Sequence, residues 1–420
     1  MKQLKNYILL WATQSLSSLG SGMTSIALGI WLYQKNGSAL ETALLTVCSY
    51  TPYVVMSIFA GALSDRWNKK RTMLVCDTLA ALTTLTVWLL IRADALLPWH
   101  LYLLSALNGL MNTVQQPASE VAATLLIPPE AYQKTSAMRS FSQSLNSILT
   151  PILATALFAF AGMGAVIAVD LSTFLIAFLT LLFFIRIPED AANREEKEPL
   201  LTSARSGLQW LRGNPLILRL ILFLACINLV ASTYEAALPA MVLSKPLGSK
   251  TVLGWVETSV GIATLAGSLI ASILPAPKNR ARTICLALLF SMSTENFLLA
   301  FGKTPLIWCV AAVLGWIPIP IMGANLDVAF RSSIPADMQG RVYACRNTLQ
   351  FFTIPVGYFL GGFLVDQVFE PFMARSASPL LHSLFGVGKG SGAAFLFLFA
   401  GAAGMAVCLV FIRLLRKWLR

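Results

Sequence analysis

The chain has 420 residues, of which 56% are hydrophobic and only 12% are charged. A soluble domain carries about 25% charged residues, so this composition excludes a chain of soluble domains, and it also excludes disorder, which needs low hydrophobicity. The mean hydropathy is +0.71 and the net charge is +12, so a lipid bilayer is the first environment to test.

Twelve long apolar blocks follow one another along the chain. A helix needs ~20 mostly apolar residues to cross the hydrocarbon core of a bilayer, whereas barrel strands would alternate over about ten residues. The blocks lie at 7–34, 40–63, 73–92, 98–120, 136–160, 163–186, 215–240, 251–275, 283–301, 305–330, 342–366 and 391–413. The first is too long for the apolar core of a signal peptide, so we expect it to be retained. The predicted fold class is an all-α membrane protein with twelve transmembrane helices.

Basic residues are distributed unevenly between alternate loops. With the N-terminus inside the cell, 24 of the 31 Lys and Arg residues fall on the inner side, as the positive-inside rule requires. We therefore expect a multi-pass protein of the plasma membrane, the inner membrane in a bacterium, with both termini in the cytoplasm. This distribution also accounts for the net charge, so we expect the lipid bilayer, and no nucleic acid, as a partner.

The loop between the second and third blocks has the sequence GALSDRWNKKR at 61–71. Gly61 permits close approach of a neighbouring helix. Asp65 can accept hydrogen bonds from the free N–H groups at another helix's N-terminus, and the basic residues can face anionic headgroups. By itself the segment is also consistent with an ordinary positively charged inner loop.

A polar stretch at 187–214 divides the blocks six and six. It contains five acidic residues, and we expect a solvated cytoplasmic linker between bundles at 1–186 and 215–420. A shift of 207 residues aligns 120–143 with 327–350 without a gap and with seven identities. Two like halves can rock about a shared site, as in transporters that alternate access. The sequence therefore predicts two pseudo-symmetric six-helix bundles.

Residues typical of metal or redox chemistry are scattered. The seven cysteines and two histidines show neither the spacing of a zinc site nor that of a disulfide framework, and no GxxxxGK(S/T) motif is present to bind ATP. We therefore expect no metal, no cofactor and no enzymatic activity.

Together, the twelve blocks, the repeat and the loop at 61–71 resemble the major facilitator superfamily, whose signature loop is GxxxD(R/K)xGxx(R/K). Gly61, Asp65, Arg66 and Arg71 match, whereas Asn68 stands at a position where glycine is usual. The resemblance covers the whole chain and implies the major facilitator fold.

In that family this loop locks the cytoplasmic side of the transporter. The resemblance implies that Asp65 docks on the start of span 11, and that a basic residue such as Lys69 pairs with Glu120 at the end of span 4. The lock residues implied are Gly61, Asp65, Arg66, Lys69, Arg71 and Glu120.

Three further stretches are similar to the macrolide-efflux and enterobactin-exporter branch of the family: residues 10–28, NGSAL at 36–40 and IPPE at 127–130. The antiporter signature of span 5 has glycines around a Gly-Pro pair, and this chain has Thr150-Pro151 at that place. The sequence therefore indicates the direction of transport less directly than it indicates the fold.

Carboxylates in hydrocarbon are costly unless they are paired, hydrated or protonated. In the family, spans 1, 4, 7 and 10 line the cavity and spans 2, 5, 8 and 11 form its sides. The resemblance thus makes Glu235 and Glu257 the first candidates for proton coupling. We expect Asp170 and Glu295 to pair with or tune that site, and we include Asp170 among the candidates for proton coupling. We expect Asp77 to be structural.

Polar and aromatic residues of the lining spans are the candidates for substrate contact: Gln14, Asn108, Asn112, Gln115, Asn228, Tyr234, Trp316 and Asn325. Asn108, Asn112 and Gln115 share one helix face, which either points to the cavity or packs against another helix. With few fixed charges, such a cavity suits a bulky amphipathic ligand better than a small anion or a sugar.

We therefore expect a monomeric secondary active transporter that exports an amphipathic drug or a secreted metabolite in exchange for protons, and so acts in drug resistance. Import of a small organic solute and export of a siderophore are the alternatives. A channel or a receptor agrees less well with the duplicated halves and the lock-like loop.

Overall fold

The computed structural model describes residues 2–127, 131–187, 200–335 and 338–415, with the side chains of 2–4, 57–66, 132–134, 136–137, 200–204, 339–340 and 344 left undescribed. The described part is helical and contains no strand. Its helices are α1 Lys2–Asn36, α2 Ala39–Arg66, α3 Lys69–Arg92, α4 Pro98–Leu126, α5 Tyr132–Leu179, α6 Leu200–Gly213, α7 Pro215–Ser244, α8 Lys250–Ile273, α9 Arg280–Phe301, α10 Pro305–Trp316, α11 Pro318–Ser333, α12 Gln339–Phe351, α13 Thr353–Phe363, α14 Glu370–Arg375, α15 Pro379–Phe385 and α16 Ser391–Leu414. Two π-helical turns, Thr180–Phe184 and Leu364–Phe369, extend α5 and α13.

The helices follow the predicted apolar blocks. In the described part, eight helical stretches are long and apolar enough to cross a membrane, and the longest, Met138–Phe184, holds two predicted spans. These spans meet at Gly162, where α5 leaves helical geometry with φ 76° and ψ −178°. Predicted span 10 consists of α10 and α11, and span 11 is made of shorter helices in succession. The all-α membrane fold class is therefore confirmed.

Local sequence explains where many of these helices begin. Proline opens α4, α7, α10, α11 and α15, at a position where its missing N–H group is not needed. Asn68 and Asn279 cap α3 and α9 through their side-chain oxygens, and Ser249 caps α8. Each cap satisfies a backbone donor that an apolar environment could not.

The chain divides into two compact units. The first contains Met1–Gly29 and Cys48–Ser203, and the second contains Ile30–Val47 and Ala204–Arg420. The second unit thus takes in residues 30–47, which the predicted bundle at 1–186 includes. Hydrogen bonds from this segment to Asp366 and to α7 explain why it groups there.

In the first unit, helices approach closely where side chains are small. A Cβ placed on Gly109 of α4 would overlap the backbone of Ser49 in α2, and one on Gly20 of α1 would lie 3.0 Å from the Cα of Asp170. The core cluster of this unit is formed by Tyr7, Leu10, Met73, Ala118, Ala122, Leu126, Leu181 and Ile185. Close-packed helices of this kind fix the positions of the polar groups they carry.

The second unit is built around large buried aromatic side chains: Phe223, Trp308, Phe330, Phe385 and Phe397. Trp308 donates its indole N–H to the carbonyl of Gly302 at 2.9 Å, so even this buried ring has its polar atom satisfied.

The predicted linker at 187–214 differs from expectation in its second half. Residues 200–213 form α6, and Leu211 is fully buried. A Cβ on Gly207 would lie 2.7 Å from the carbonyl oxygen of Arg341, so α6 packs on the start of α12. An amphipathic helix is more stable when its apolar face packs against another helix than when that face is exposed to water. The acidic stretch at 188–199 lies outside the described residues.

Candidate functional site

The predicted lock lies at the ends of α2, α3 and α4. The side chains of Gly61, Asp65 and Arg66 lie outside the described residues, and Arg71 is exposed. Glu120 pairs with Arg139 of α5 at 2.7 Å, with about half of each side chain exposed, whereas Lys69 donates to the carbonyl of Trp67 at 3.0 Å. An exposed ion pair of this kind contributes roughly 0–1 kcal/mol.

Two residues of the same loop have clear roles that the motif does not give. Asn68 accepts a hydrogen bond from the N–H of Arg71 at 2.9 Å and so caps α3. This explains a side chain at a position where the family usually has glycine. Lys70 donates to the carbonyls of Leu182 and Ile185 at 2.9 and 2.8 Å, where the helix after α5 ends and cations are favoured.

Asp77 of α3 is the centre of a polar network in the first unit. It accepts from the amide of Gln115 of α4 at 2.5 Å and from that of Gln14 of α1 at 3.3 Å. Gln14 and Gln115, both predicted to contact substrate, therefore donate hydrogen bonds to a buried carboxylate within the protein. For Gln115, the arrangement agrees with the second of the two alternatives for this face of α4, polar packing against another helix.

Asp170 forms a second network in the same unit. Its carboxylate accepts from Ser21 of α1 at 3.0 Å and from Thr84 of α3 at 3.3 Å. Asp170 is only 3% exposed. It belongs to the first unit, whereas the other two predicted proton-coupling residues belong to the second.

A group of three carboxylates lies in the second unit. Glu235 of α7 accepts from the hydroxyl of Tyr358 of α13 at 2.8 Å. Glu235 and Glu257 of α8 lie within electrostatic range of each other, and Glu295 of α9 lies within range of both. We call Glu235, Glu257 and Glu295 the carboxylate cluster.

Glu295 is the most deeply buried member of this cluster, at 2% exposure. It accepts from the hydroxyl of Tyr234 at 3.0 Å and from the indole of Trp316 at 3.2 Å. Gly315 makes room for it, since a Cβ there would lie 2.6 Å from both the Cβ and the Cδ of Glu295. Two predicted substrate contacts, Tyr234 and Trp316, thus donate hydrogen bonds to Glu295, which we expected from the sequence only to pair with or tune the coupling site.

The remaining predicted contacts fall into two groups. Asn228 donates to the carbonyl of Gln350 at 3.1 Å, and Asn325 accepts from Arg280 at 3.2 Å, so both join helices of the second unit. Asn112 is exposed and Asn108 is partly exposed on α4, which leaves their amides open to a ligand.

Glu235 and Glu295 can gain or lose a proton without breaking an ion pair, because their hydrogen-bond donors are uncharged. Within the described residues, no group of three or more His, Cys, Asp and Glu side chains is arranged to hold a metal ion. The hydrogen-bond donors to Glu235 and Glu295 are neutral, and a carboxylate without a cationic partner keeps its charge in an apolar site only at high free-energy cost.

Long apolar helices that carry buried carboxylates, as in the described part of this chain, are typical of transporters. A sequence model described as the Major Facilitator Superfamily matches residues 10–243. The chain belongs to the Major Facilitator Superfamily, and so it acts on small-molecule substrates within a membrane.

Relatives agree with the predicted branch of this family. Macrolide efflux protein A of Streptococcus pyogenes is 23% identical over 370 residues, which cover 87% of this chain and 90% of that protein. Enterobactin exporter EntS of Citrobacter koseri is 22% identical over 338 residues, covering 78% of this chain and 77% of EntS. The expected similarity to the macrolide-efflux and enterobactin-exporter branch is confirmed.

Among solved structures, a mutant of the nucleoside transporter NupG aligns with a TM-score of 0.69 at 13% identity, covering 98% of this chain and 99% of that one. This likeness shows the fold alone.

Proposed function

We propose that the protein is a proton-coupled exporter of bulky amphipathic compounds that works by alternating access. The observation that carries the proposal is the carboxylate cluster, whose members lie in apolar helices and of which Glu235 and Glu295 accept hydrogen bonds from neutral groups. Like charges repel strongly in a medium of low dielectric constant. Loading or removing one proton therefore changes the energy of the cluster steeply, which is what coupling to a proton gradient requires.

The energetics of such exchange are simple. A gradient of one pH unit supplies about 1.4 kcal/mol per proton, which is enough for a tenfold concentration ratio of solute in one-for-one exchange. Protons enter from the acidic outer side, neutralise the cluster and leave inside, while the solute moves the other way. The bundles at 1–186 and 215–420 are the two halves that alternate, and the chain acts as a monomer in this scheme.

Names of the relatives support export over import. One relative is named a macrolide efflux protein and another an enterobactin exporter, and both names describe transport out of the cell. Export of a siderophore is therefore the second candidate, supported by the EntS match. Import of a small organic solute has no such support among these relatives.

The proposed membrane arrangement places both termini in the cytoplasm, in the plasma membrane of a bacterium. The loop at 61–71 then lies on the cytoplasmic side, where Gly61, Asp65, Arg66, Lys69, Arg71 and Glu120 form the proposed lock. The connection from α1 to α2 lies on the opposite, outer side. The inner-side excess of Lys and Arg supports this orientation.

Transport in inverted membrane vesicles tests the proposal. Vesicles with an acidic interior are given a radiolabelled macrolide or radiolabelled enterobactin in parallel assays. We expect one of the two to accumulate about tenfold per unit of pH difference, as one-for-one exchange predicts. In Glu235→Gln, accumulation should disappear while equilibration without a gradient persists, because the amide cannot carry the exchanged proton.

Asp94→Asn is the matched control for this experiment. Asp94 is exposed, with φ 50°, a backbone conformation that asparagine also adopts. This variant should accumulate the label like the unaltered protein. Unchanged gradient dependence in both Glu235→Gln and Glu257→Gln would refute the role of the cluster, and accumulation only in right-side-out vesicles would show an importer.

A further inference from the structure

The connection between α1 and α2 consists of Gly37 and Ser38, and hydrogen bonds hold it on both sides. Gly37 has φ +65°, and α2 begins two residues later at Ala39. At the end of α1, Tyr33 shares a hydrogen bond of 2.7 Å with Ser244 and donates to the carbonyl of Ala240 at 3.2 Å. The end of α1 is thereby fastened to α7.

The start of α2 is held by a single carboxylate. Asp366 accepts from the hydroxyl of Ser38 at 2.6 Å, from the N–H of Ala39 at 3.0 Å and from the N–H of Leu40 at 2.9 Å. An anion at a helix N-terminus is stabilised both by these free N–H groups and by the helix dipole, and hydrogen bonds to a charged acceptor are stronger than neutral ones.

Two features of the chain bring Asp366 to this position. It lies in the π-helical turn Leu364–Phe369, which changes the direction of side chains after α13. One turn earlier is Gly362, where an added Cβ would lie 2.5 Å from the Cα and 2.9 Å from the N of Leu40. Only glycine allows this approach of the two helices.

The same segment holds a second helix in a similar way. Glu370 accepts from the N–H groups of Gly390 and Ala393 at 2.9 and 3.2 Å, at the start of α16. The two carboxylates use the same chemistry on different helices: Asp366 accepts from the start of α2, and Glu370 accepts from the start of α16.

We propose that Asp366 is a gating residue for transport, a latch that holds the start of α2 and must release it each time this end of the transporter opens. The inference goes beyond the proposed function and rests on it only in taking the protein to alternate between two states. A carboxylate with three hydrogen bonds to one helix end is either fully engaged or lost as a unit, which suits a two-state element.

The test measures how readily the start of α2 becomes accessible. Ala39 is 1% exposed, so Ala39→Cys places a thiol that is protected while the latch is closed. A membrane-impermeant maleimide is added to right-side-out vesicles, and labelling of the same protein without Ala39→Cys is subtracted. We expect Asp366→Asn to raise the labelling rate about tenfold, as the loss of charged hydrogen bonds would predict.

Three further variants separate a latch from general damage. Gly362→Ala should raise labelling without changing any charge, because its methyl group pushes α2 away. Ser38→Ala, which removes one of the three hydrogen bonds to Asp366 and the acceptor for the N–H of Glu41 but keeps the charge, should give an intermediate rate. Glu370→Gln is the matched control, since it weakens a helix cap in the same segment, and should label at the parent rate.

Parent-like labelling in Asp366→Asn, Gly362→Ala and Ser38→Ala would overturn the latch. An equal rise in Glu370→Gln would overturn it too, because it would assign the effect to general loosening of the segment. The labelling needs neither a proton gradient nor a solute, so failure of the latch and failure of proton coupling are told apart.

Discussion

In the described part of the apolar helices, the side chains that donate hydrogen bonds to the buried carboxylates are uncharged. Amides serve Asp77, hydroxyls serve Asp170 and Glu235, and a phenol with an indole serves Glu295. Neutral donors satisfy oxygen lone pairs without cancelling charge. Each of these acids can therefore gain or lose a proton without breaking an ion pair.

The glycine beside Glu295 gives a first prediction. A methyl group in Gly315→Ala would lie 2.6 Å from the Cβ and Cδ of Glu295, so it must displace the carboxylate from Tyr234 and Trp316. We expect a loss of about 1–3 kcal/mol in stability, as for other overpacked sites, seen as a lower thermal unfolding temperature in detergent. Gly323→Ala, where a Cβ meets nothing within 4 Å, is the control and should unfold like the parent.

Lys245, just after α7, predicts a pH dependence of stability. Burial lowers the pKa of Lys245 to about 8, Lys303 acts in the same direction and Glu370 opposes it. Because the unfolded chain binds this proton more tightly, stability should rise between pH 8 and the ordinary lysine pKa of about 10.4. Lys245→Met should raise the free energy of unfolding at pH 7 by at most about 3 kcal/mol, seen as a higher unfolding temperature, and should flatten the rise with pH.

Thermal unfolding at pH 7 and pH 10 measures both effects. Lys278→Met, at an exposed position, should leave the rise intact. A Lys245→Met protein whose stability rises as steeply as that of the parent would contradict the assignment.

At the scale of elements, the two halves share a helix start that the repeat alignment did not include. The sequences NKKRT at 68–72 and NRART at 279–283 begin α3 and α9. In both, the asparagine side chain accepts from the N–H three residues on, at 2.9 and 3.0 Å. In both, the threonine hydroxyl donates back to the asparagine carbonyl. The second half thus keeps the cap although it lacks the aspartate of the signature loop.

Removing these caps should destabilise each unit separately. Asn68→Ala and Asn279→Ala should each cost about 1 kcal/mol, and the double variant should show the sum, since the sites lie in different compact units. Chemical unfolding in detergent measures the three values. Asn68→Asp and Asn279→Asp retain the acceptor and should recover most of the stability. Strong non-additivity would contradict independent caps.

Helix positions could be predicted from the sequence because each block of apolar residues has to satisfy its own backbone in lipid. The division of span 10 into α10 and α11 could not, since Pro318 either kinks or opens a helix. Helix α6 was not predicted because its apolar residues are mixed with polar ones next to the acidic stretch, and only the packing of Gly207 against Arg341 shows that the helix has a partner.

At the scale of the whole molecule, the compact units do not follow the chain's midpoint. Residues 30–47, which contain the end of α1 and the start of α2, group with the second unit, although α1 begins and α2 ends in the first. The candidate site shows the same limit of sequence reasoning. Acids in apolar blocks are conspicuous because of their cost. Their partners, such as Tyr358 for Glu235 at a separation of 123 residues, depend on tertiary packing.

This grouping predicts which amides should exchange together. If residues 30–47 open with the second unit, Asn279→Ala should speed hydrogen exchange at 30–47 along with that unit. Residues 5–29 of the same helix should keep the exchange rates of the parent. Mass spectrometry of peptides from the two stretches makes the comparison, and equal acceleration in both would show that α1 opens as a whole.

Gly162 has one more consequence. Its φ of 76° and ψ of −178° are the mirror image of an ordinary extended conformation, and a Cβ there meets nothing within 4 Å. A residue of opposite chirality would therefore be relaxed at this turn, whereas every genetically encoded side chain is strained there. In a semisynthetic chain, D-alanine at 162 should be tolerated better than L-alanine, so handedness, and not size, is what this position selects.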